Sequence, residues 1–217
     1  MKSIFWNARG LANTPSRLVL KNLITQYNPD FVFISEPWMD FNDFPSRWLN
    51  NLNLKLFAMN SINNLLPNIW CFYKPHFDPV ILALADQHVT FTISHNNLIT
   101  TFSVIYASSN YIVRRNIWNS LNLLQSQHSI PWCFIGDFNS IIGAHEHRGR
   151  LPPSRLPMEE FRNWSNTFNL LHIPTRGAKF TWANGRDGQS LRREDWTGLF
   201  VIKLALTYFL MYLLLLL

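Results

Sequence analysis

The most informative part of the sequence is residues 132–139, which read Trp132-Cys133-Phe134-Ile135-Gly136-Asp137-Phe138-Asn139. The residues before Gly136 form an apolar run with the length of a buried strand. An acid and an amide, Asp137 and Asn139, follow as soon as the run stops. Polar side chains at the ends of buried strands are typical of the sites of α/β folds. The segment therefore predicts a core strand that ends in a functional site.

Two segments nearer the N-terminus show the same arrangement. A short apolar run over residues 3–6 stops at Asn7, and the run Phe31-Val32-Phe33-Ile34 stops at Ser35 and Glu36. Between them, apolar residues at helical spacing predict a helix over residues 15–27. The opening of the chain is therefore predicted to be strand, helix, strand, with a polar residue after each strand.

These strand ends carry the side chains that metal-assisted hydrolysis needs. Mg²⁺ prefers oxygen ligands, so Glu36 with the amide oxygen of Asn7 is a chemically apt metal site. Asp137 is positioned to orient and deprotonate an attacking water, and Asn139 to hold a phosphate or Asp137 by hydrogen bonds. Taken singly, each residue has a plainer interpretation, since Asn and Asp are common turn residues and Glu36 precedes a proline.

The remaining periodicities predict the fold class. Helical spacing predicts helices over residues 114–127 and 158–169. Apolar runs predict strands over residues 54–59, 69–73, 89–94 and 98–107. Strands mixed with helices in this order predict one domain, an α/β sandwich of two sheets with helices outside.

Composition favours a polyanionic partner. The 217 residues include 19 Lys and Arg against 13 Asp and Glu, which gives a formal net charge of +6 and a pI near 9.6. Nucleic acid is the first candidate for such a chain. Cys71 and Cys133 lie far apart in sequence and are predicted to be buried free thiols in a reducing compartment. The N-terminal residues lack the long apolar run of a secretory signal.

Several segments together resemble the endonuclease/exonuclease/phosphatase superfamily, in order and in approximate spacing. Among its members, the sequence is most similar to the endonuclease domain of plant LINE-type (non-LTR) retrotransposons, over about residues 1–190. The segments are Trp6-Asn7-Ala8-Arg9-Gly10-Leu11, Ile34-Ser35-Glu36-Pro37, Val104-Ile105-Tyr106-Ala107, Ile135-Gly136-Asp137-Phe138-Asn139 and Phe180-Thr181-Trp182. The resemblance implies a DNase I-like, four-layer α/β sandwich with two mixed sheets flanked by helices.

The resemblance also implies a role for each matched residue. Asn7 and Glu36 match the metal-site pair, with Mg²⁺ or Mn²⁺ as the cofactor and no small-molecule cofactor. Tyr106 matches the tyrosine that contacts the scissile phosphate, Asp137 the aspartate that activates water, and Asn139 its phosphate-orienting neighbour. Thr181 matches a threonine that packs near the site and touches DNA. The expected partner is DNA, bound by a monomer.

Three arginines are further candidates for DNA binding. Arg9 lies in the first motif, and Arg114 and Arg115 form a basic pair at the start of a predicted helix. Phosphate contacts of this kind position DNA without reading its sequence. Solvated surface charge is the alternative interpretation for all three.

The sequence departs from the family pattern after the Phe-Thr-Trp segment. Family members continue with an Arg-Leu-Asp-Arg segment and later a Ser-Asp-His segment that supplies a catalytic histidine. Residues Arg193-Glu194-Asp195 resemble a damaged remnant of the first, which makes Asp195 a further candidate metal ligand, and the second is absent before Leu217. We therefore expect a domain that is truncated and incomplete at its C-terminus, with impaired or absent activity.

The expected organisation is a nuclease-like domain over residues 1–198 and an apolar tail over residues 199–217. The tail is interpreted as aberrant sequence, with a membrane span as the alternative. The predicted function is Mg²⁺-dependent hydrolysis of DNA phosphodiester bonds, as in target-site nicking by a retrotransposon. The alternatives are a catalytically inactive nucleic-acid-binding remnant and, third, a phosphatase of the same fold. The expected location is the nucleus or cytoplasm, or a membrane if the tail is genuine.

Overall fold

Two β-sheets face each other at the centre of the fold. The computed structural model describes residues 1–60, 65–128, 130–172, 182–183, 193–195, 197–202 and 212–216. Sheet one consists of β1 (Lys2–Asn7), β2 (Phe31–Ser35), β3 (Lys55–Met59), β4 (Ile69–Tyr73) and β14 (Tyr212–Leu216). Its spatial order is β14-β1-β2-β4-β3. The sheet is mixed, because β1 runs parallel to β2 and β14 whereas β4 runs antiparallel to β2 and β3.

Sheet two is also mixed. It consists of β5 (Val80–Ala85), β6 (His88–His95), β7 (Leu98–Tyr106), β8 (Trp132–Asp137), β10 (Leu170–His172) and β13 (Thr197–Ile202). Its order is β10-β13-β8-β7-β6-β5. Only the central pair, β7 and β8, is parallel among these described strands. The helix α3 (Tyr111–Gln127) makes the crossover that such a parallel pair requires.

Two of the described helices begin where an asparagine side chain satisfies a free backbone N–H group. Helix α1 (Thr14–Tyr27) is capped by Asn13, whose side chain accepts a hydrogen bond from the backbone N–H of Ser16. It ends at Asn28, which adopts the left-handed conformation at φ 45°. Asn110 caps α3 in the same way. The other helices are α2 (Arg47–Asn51) and α4 (Arg155–Thr167).

Alternate faces of the strands pack in opposite directions and so form four layers. The two sheets face each other across a phenylalanine-rich core, in which the rings of Phe33 and Phe91 lie 6.0 Å apart. On the outer face of sheet one, Ile4 and Val32 pack with α1. On the outer face of sheet two, Trp132 and residues of β7 and β8 pack with α3 and α4. The predicted sandwich of two mixed sheets flanked by helices is confirmed.

Several boundaries differ from the predicted ones. Helix α3 begins at Tyr111 rather than Arg114, because Asn110 caps it, and α4 begins at Arg155 rather than Met158. Strand β5 was not predicted. Its residues 80–85 form an apolar run, and all six are at least partly exposed. Cys71 and Cys133 are buried free thiols, as predicted.

The C-terminal segments pair with both sheets. Strand β13 pairs antiparallel with β8, and β14 pairs parallel with β1. The predicted boundary between residues 198 and 199 therefore falls within β13, and the division into domain and tail stays a prediction. A small third sheet joins β9 (His147–Arg148), β11 (Trp182–Ala183) and β12 (Arg193–Glu194). Among the described residues, no helix combines the length and apolar character of a membrane span.

Candidate active site at the strand ends

The predicted site residues meet where four strands end. Asn7 is the last residue of β1, and Glu36 follows the last residue of the parallel strand β2. Tyr106 and Asp137 end the parallel strands β7 and β8 and are direct partners in the register. The side-chain amide of Asn7 donates to Glu36 Oε1 at 2.8 Å and to Asp137 Oδ2 at 3.2 Å. One asparagine thereby joins the carboxylates of the two sheets.

The loops after β1 and β2 are held together by backbone hydrogen bonds. The N–H groups of Ala8 and Gly10 donate to the carbonyl oxygens of Ser35 and Glu36, both at 2.9 Å. Glu36 has φ 52°, a left-handed conformation that is uncommon for a residue with a side chain. Its own N–H donates to the Asn68 carbonyl at 3.0 Å. The strained conformation is therefore fixed from both sides, which sets the direction of the Glu36 side chain.

Asn68 is held in turn by Asn60, a buried residue that the sequence did not single out. The Asn60 amide donates to Asn68 Oδ1 and to the Asp86 carbonyl, both at 2.8 Å. Its oxygen accepts from the N–H groups of Asn68 and Ile69 at 2.9 and 2.8 Å. Asn60 therefore fixes Asn68, whose carbonyl accepts the Glu36 N–H. Nothing in the local pattern distinguishes Asn60 from an ordinary turn asparagine, because its partners come from distant segments.

Burial dominates the electrostatics of Asp137. The residue is 6% exposed, and this desolvation raises the pKa of its carboxyl to about 6. Hydrogen bonds from the Asn139 N–H, at 2.9 Å to Oδ1, and from Asn7 oppose the shift by lowering the pKa. The nearby charge of Glu36 raises it further. A carboxyl with a pKa near neutrality is suited to accept a proton from water.

Tyr106 lies close enough to both carboxylates to respond to them. Burial raises the pKa of its phenol, and a side-chain hydrogen bond and the charge of Glu36 raise it further. Asp137 raises the pKa as well, and Arg9 lowers it. The phenol therefore stays protonated and acts as a hydrogen-bond donor. This donor stands beside the two acids at the shared strand edge.

Asn139 shapes the turn after β8. It has φ 46°, its N–H bonds Asp137, and its side-chain amide donates to the Ala107 carbonyl at 2.7 Å. The Ala107 N–H donates to the Asp137 carbonyl at 2.8 Å. Asn139 therefore fixes the Asp137 loop against the end of β7. These contacts are those of a turn residue, and they place Asn139 directly beside the predicted site.

Gly136 allows β7 and β8 to approach at this point. Its φ is +149°, and a Cβ there would lie 2.0 Å from the Ile105 carbonyl oxygen. No side chain can be accommodated at that distance without moving the backbone. The glycine of the predicted motif therefore serves the close strand pairing that brings Asp137 beside Tyr106.

The loop that follows is held by Glu146. Glu146 is 9% exposed, and its Oε2 accepts from the Ile142 N–H at 2.7 Å. Burial raises the pKa of this carboxyl to about 7, and the charge of Asp195 contributes. His145 and His172 approach its other oxygen at 3.7 and 3.9 Å. Glu146 thus anchors the loop that carries Asp137 and Asn139 at its start.

The oxygen atoms of the site fit a hard divalent cation. Asn7 Oδ1 is buried and accepts no hydrogen bond from the residues that the structure describes, which leaves its lone pairs available. The carboxylates of Glu36 and Asp137 are both bonded to the amide nitrogen of the same asparagine. Across the described ranges, no cluster of three or more His, Cys, Asp or Glu side chains suits a metal. The donor set is therefore carboxylate and amide oxygen, which suits Mg²⁺ with its retained waters.

The structure separates the remaining candidates. Arg9 is exposed, and it influences the pKa values of Tyr106 and Asp137, so it lies near the site. Arg115 is paired with Glu160 of α4, with Nε 2.9 Å from Oε1. The N–H of Asp195 donates to the Glu146 carbonyl at 3.1 Å, which places Asp195 beside the loop anchor. Thr181 lies outside the described residues.

Arg114 is a correction to the predicted set. It is 4% exposed, and its guanidinium donates to the Ser108 carbonyl at 2.7 Å. The side chain is therefore built into the first turn of α3 and is not presented to DNA. A buried arginine is rare, and the sequence offered no sign that the Ser108 loop would fold over it.

Comparison with known proteins agrees with this arrangement. A family model described as Endonuclease/Exonuclease/phosphatase family matches residues 4–197. The chain belongs to this family. The predicted resemblance is thus confirmed at the level of the family. No curated protein matches the chain.

Solved structures of similar fold include several nucleases and a phosphatase. The endonuclease domain of TRAS1, a telomere-specific non-LTR retrotransposon, has a TM-score of 0.70 and 11% identity, covering 94% of this chain and 85% of that one. A 3′ phosphatase from Neisseria, bound to a product DNA hairpin, has 0.66 and 15%, covering 93% and 86%. An AP endonuclease from Archaeoglobus fulgidus has 0.66 and 8%, covering 92% and 86%. At these sequence identities, the similarity to the three structures is a similarity of fold alone.

Proposed function

We propose that this family member is an endonuclease that hydrolyses DNA phosphodiester bonds with Mg²⁺ or Mn²⁺, as in target-site nicking by plant LINE-type retrotransposons. The observation that carries the proposal is the pair of hydrogen bonds from Asn7 to Glu36 and Asp137. They join two acids from different sheets at one strand edge. Two carboxylates with an adjacent free amide oxygen supply the oxygen ligands that Mg²⁺ prefers and a base for the attacking water.

Each side chain has a distinct role in the proposed reaction. Glu36 and Asn7 Oδ1 hold the metal, which when bound neutralises charge on a phosphate oxygen and on the departing alkoxide. Asp137 is ionised at neutral pH, because its pKa is about 6, and it accepts the proton of the attacking water. The Tyr106 phenol donates to a phosphate oxygen. Asn139 fixes the loop that carries Asp137.

DNA is the proposed substrate on grounds of charge and fold. The formal net charge of +6 favours a polyanion, and exposed Arg9 lies near the acids, where it can meet a phosphate. One solved structure of the same fold has a DNA hairpin bound. An enzyme that nicks chromosomal DNA has to reach the nucleus, which we propose as its place of action.

The test is nicking of supercoiled plasmid by the full chain, in Mg²⁺ and in EDTA. Glu36→Gln and Asp137→Asn keep the size of each side chain and remove its charge, and Glu159→Gln changes an exposed acid on α4 as the matched control. We expect Mg²⁺-dependent nicking that falls by about 10²-fold or more in the two site variants. The control should nick like the original chain. A folded original chain that never nicks would refute the proposal.

A DNA-binding protein without turnover is the second candidate. The histidines described near the C-terminal side of β8 are engaged elsewhere, since His145 and His172 lie beside Glu146. The family resemblance assigns transition-state stabilisation to a histidine that this sequence does not match, and losing such a group costs about 10²–10³-fold in rate. Salt-sensitive DNA binding with no nicking in any metal would select this candidate.

A further inference from the structure

Trp38 stands exposed two residues beyond Glu36. Its side chain is 63% exposed, although Pro37 before it is buried and Met39 after it packs against the core under α1. Tryptophan is the largest apolar side chain and is highly buried on average in folded proteins. An exposed indole beside a cluster of acids therefore calls for a function.

The backbone holds this indole in one place. Trp38 has φ 51°, and the Leu11 N–H donates to the Pro37 carbonyl at 2.8 Å, so the loop is tied to the segment after β1. Gly10, with φ +105°, lies directly under the ring. A Cβ on Gly10 would be 3.3 Å from Trp38 Cε3. One edge of the ring therefore lies next to the Gly10 backbone, and most of the side chain is exposed to solvent.

A cation lies on the same pair of loops. Arg9 is exposed and adjacent to Gly10, and its charge acts on Tyr106 and Asp137. The rim of the site thus presents a guanidinium near the acids and a flat aromatic surface beyond Glu36. Nucleic acid offers the matching chemistry, since a phosphate is followed by a base with a π-face.

We propose that Trp38 is a stacking platform for a nucleobase that flanks the scissile phosphate and is unpaired or displaced from its helix. The proposal rests on the proposed DNA nuclease function. Base stacking on an aromatic side chain is lost when that side chain is cut back to alanine. A paired base inside a duplex has both faces covered by its neighbours, so Trp38 favours DNA with an unpaired or unstacked base at the cleavage step.

The test uses the full chain and two fluorescein-labelled DNAs, a fully paired duplex and the same duplex with a short central loop of unpaired thymines. Affinity is measured by anisotropy in EDTA, and nicking in Mg²⁺. Trp38→Ala removes the ring, Trp38→Phe keeps a π-face, and Leu123→Ala changes a 62% exposed residue on α3 as the control. Circular dichroism and thermal melting confirm that each variant is folded.

We expect Trp38→Ala to weaken binding of the looped DNA by roughly tenfold and to raise KM with kcat nearly unchanged. Binding of the paired duplex should change by less than about twofold. Trp38→Phe should recover most of the affinity, and Leu123→Ala should have no effect. These results support the proposal that Trp38 is a stacking platform for a nucleobase.

Equal binding of looped DNA by Trp38→Ala and the original chain would overturn the proposal, as would an equal loss on both DNAs. If the original chain does not nick DNA, only the proposed function is contradicted, because the binding assay in EDTA measures stacking without turnover. If Trp38→Ala leaves DNA binding intact and abolishes capture of a protein partner, the surface serves that protein and the platform is wrong.

Discussion

Replacing Asn60 with alanine tests whether the Glu36 loop depends on a buried support. Asn60 is 2% exposed and makes four hydrogen bonds, two through its amide nitrogen and two through its oxygen. A buried hydrogen bond contributes about 1 kcal/mol net, so losing four predicts a cost of about 4 kcal/mol. Such a loss is a large share of the roughly 5–15 kcal/mol that stabilises a typical domain.

The loss should be visible in melting and in activity. For a chain of this size, 1 kcal/mol lowers Tm by about 2–4 °C, so Asn60→Ala should melt about 8–16 °C lower. Plasmid nicking, measured well below the new Tm, should also fall, because Asn68 would no longer hold the Glu36 N–H in place. Asn116→Ala, at an exposed position on α3, is the control and should shift Tm by less than about 2 °C.

The reasoning would be refuted by a small effect. If Asn60→Ala lowers the free energy of unfolding by less than about 1 kcal/mol, the four hydrogen bonds do not stabilise the fold as their geometry implies. If stability falls and nicking per folded molecule stays unchanged, Asn60 supports the sheet without positioning Glu36. Urea titrations with parallel nicking assays separate these outcomes.

Three further predictions concern the strands around the site. Gly136→Ala should lower stability by at least about 4 kcal/mol in urea titrations, whereas Gly143→Ala, whose Cβ would meet only a rotatable side chain, should cost less than about 1 kcal/mol. In EDTA the Asp137 carboxyl contributes stability fully below pH 3.8 and loses it as pH rises through about 6; the stability of Asp137→Asn relative to the original should therefore rise by about 3 kcal/mol between about pH 3 and pH 7, and no such rise would contradict the burial argument. Burial raises the thiol pKa values of Cys71 and Cys133, so a thiol reagent should react with them only after unfolding.

Strand ends were the predictable part of the candidate site. An apolar run followed by a polar residue is visible in one dimension, and it located Asn7, Glu36 and Asp137 before any contact was known. Parallel pairing then brings such ends to a shared edge, because both strands run the same way. Tyr106 was identified only through the resemblance to the family, since a tyrosine at the end of a strand can equally well be a core residue.

The parts that were missed depend on side-chain contacts that no periodic pattern in the sequence shows. Asn60 binds groups up to 26 residues away, and Glu146 binds the start of its own loop after a sharp turn. Arg114 was misjudged for the same reason, because its carbonyl partner lies in the loop before the helix. Edge strand β5 was missed although residues 80–85 form an apolar run like those of the predicted strands.

Asn7 ties the two sheets together at the proposed site, and this has a consequence for distant parts of the molecule. Glu36 and Asp137 belong to different sheets, so their separation reports how the sheets are docked. The docking is set by the phenylalanines between the sheets, including Phe33 and Phe91. Sequence drift in that interior can therefore erode catalysis by sliding one sheet over the other, while every residue at the strand ends remains intact.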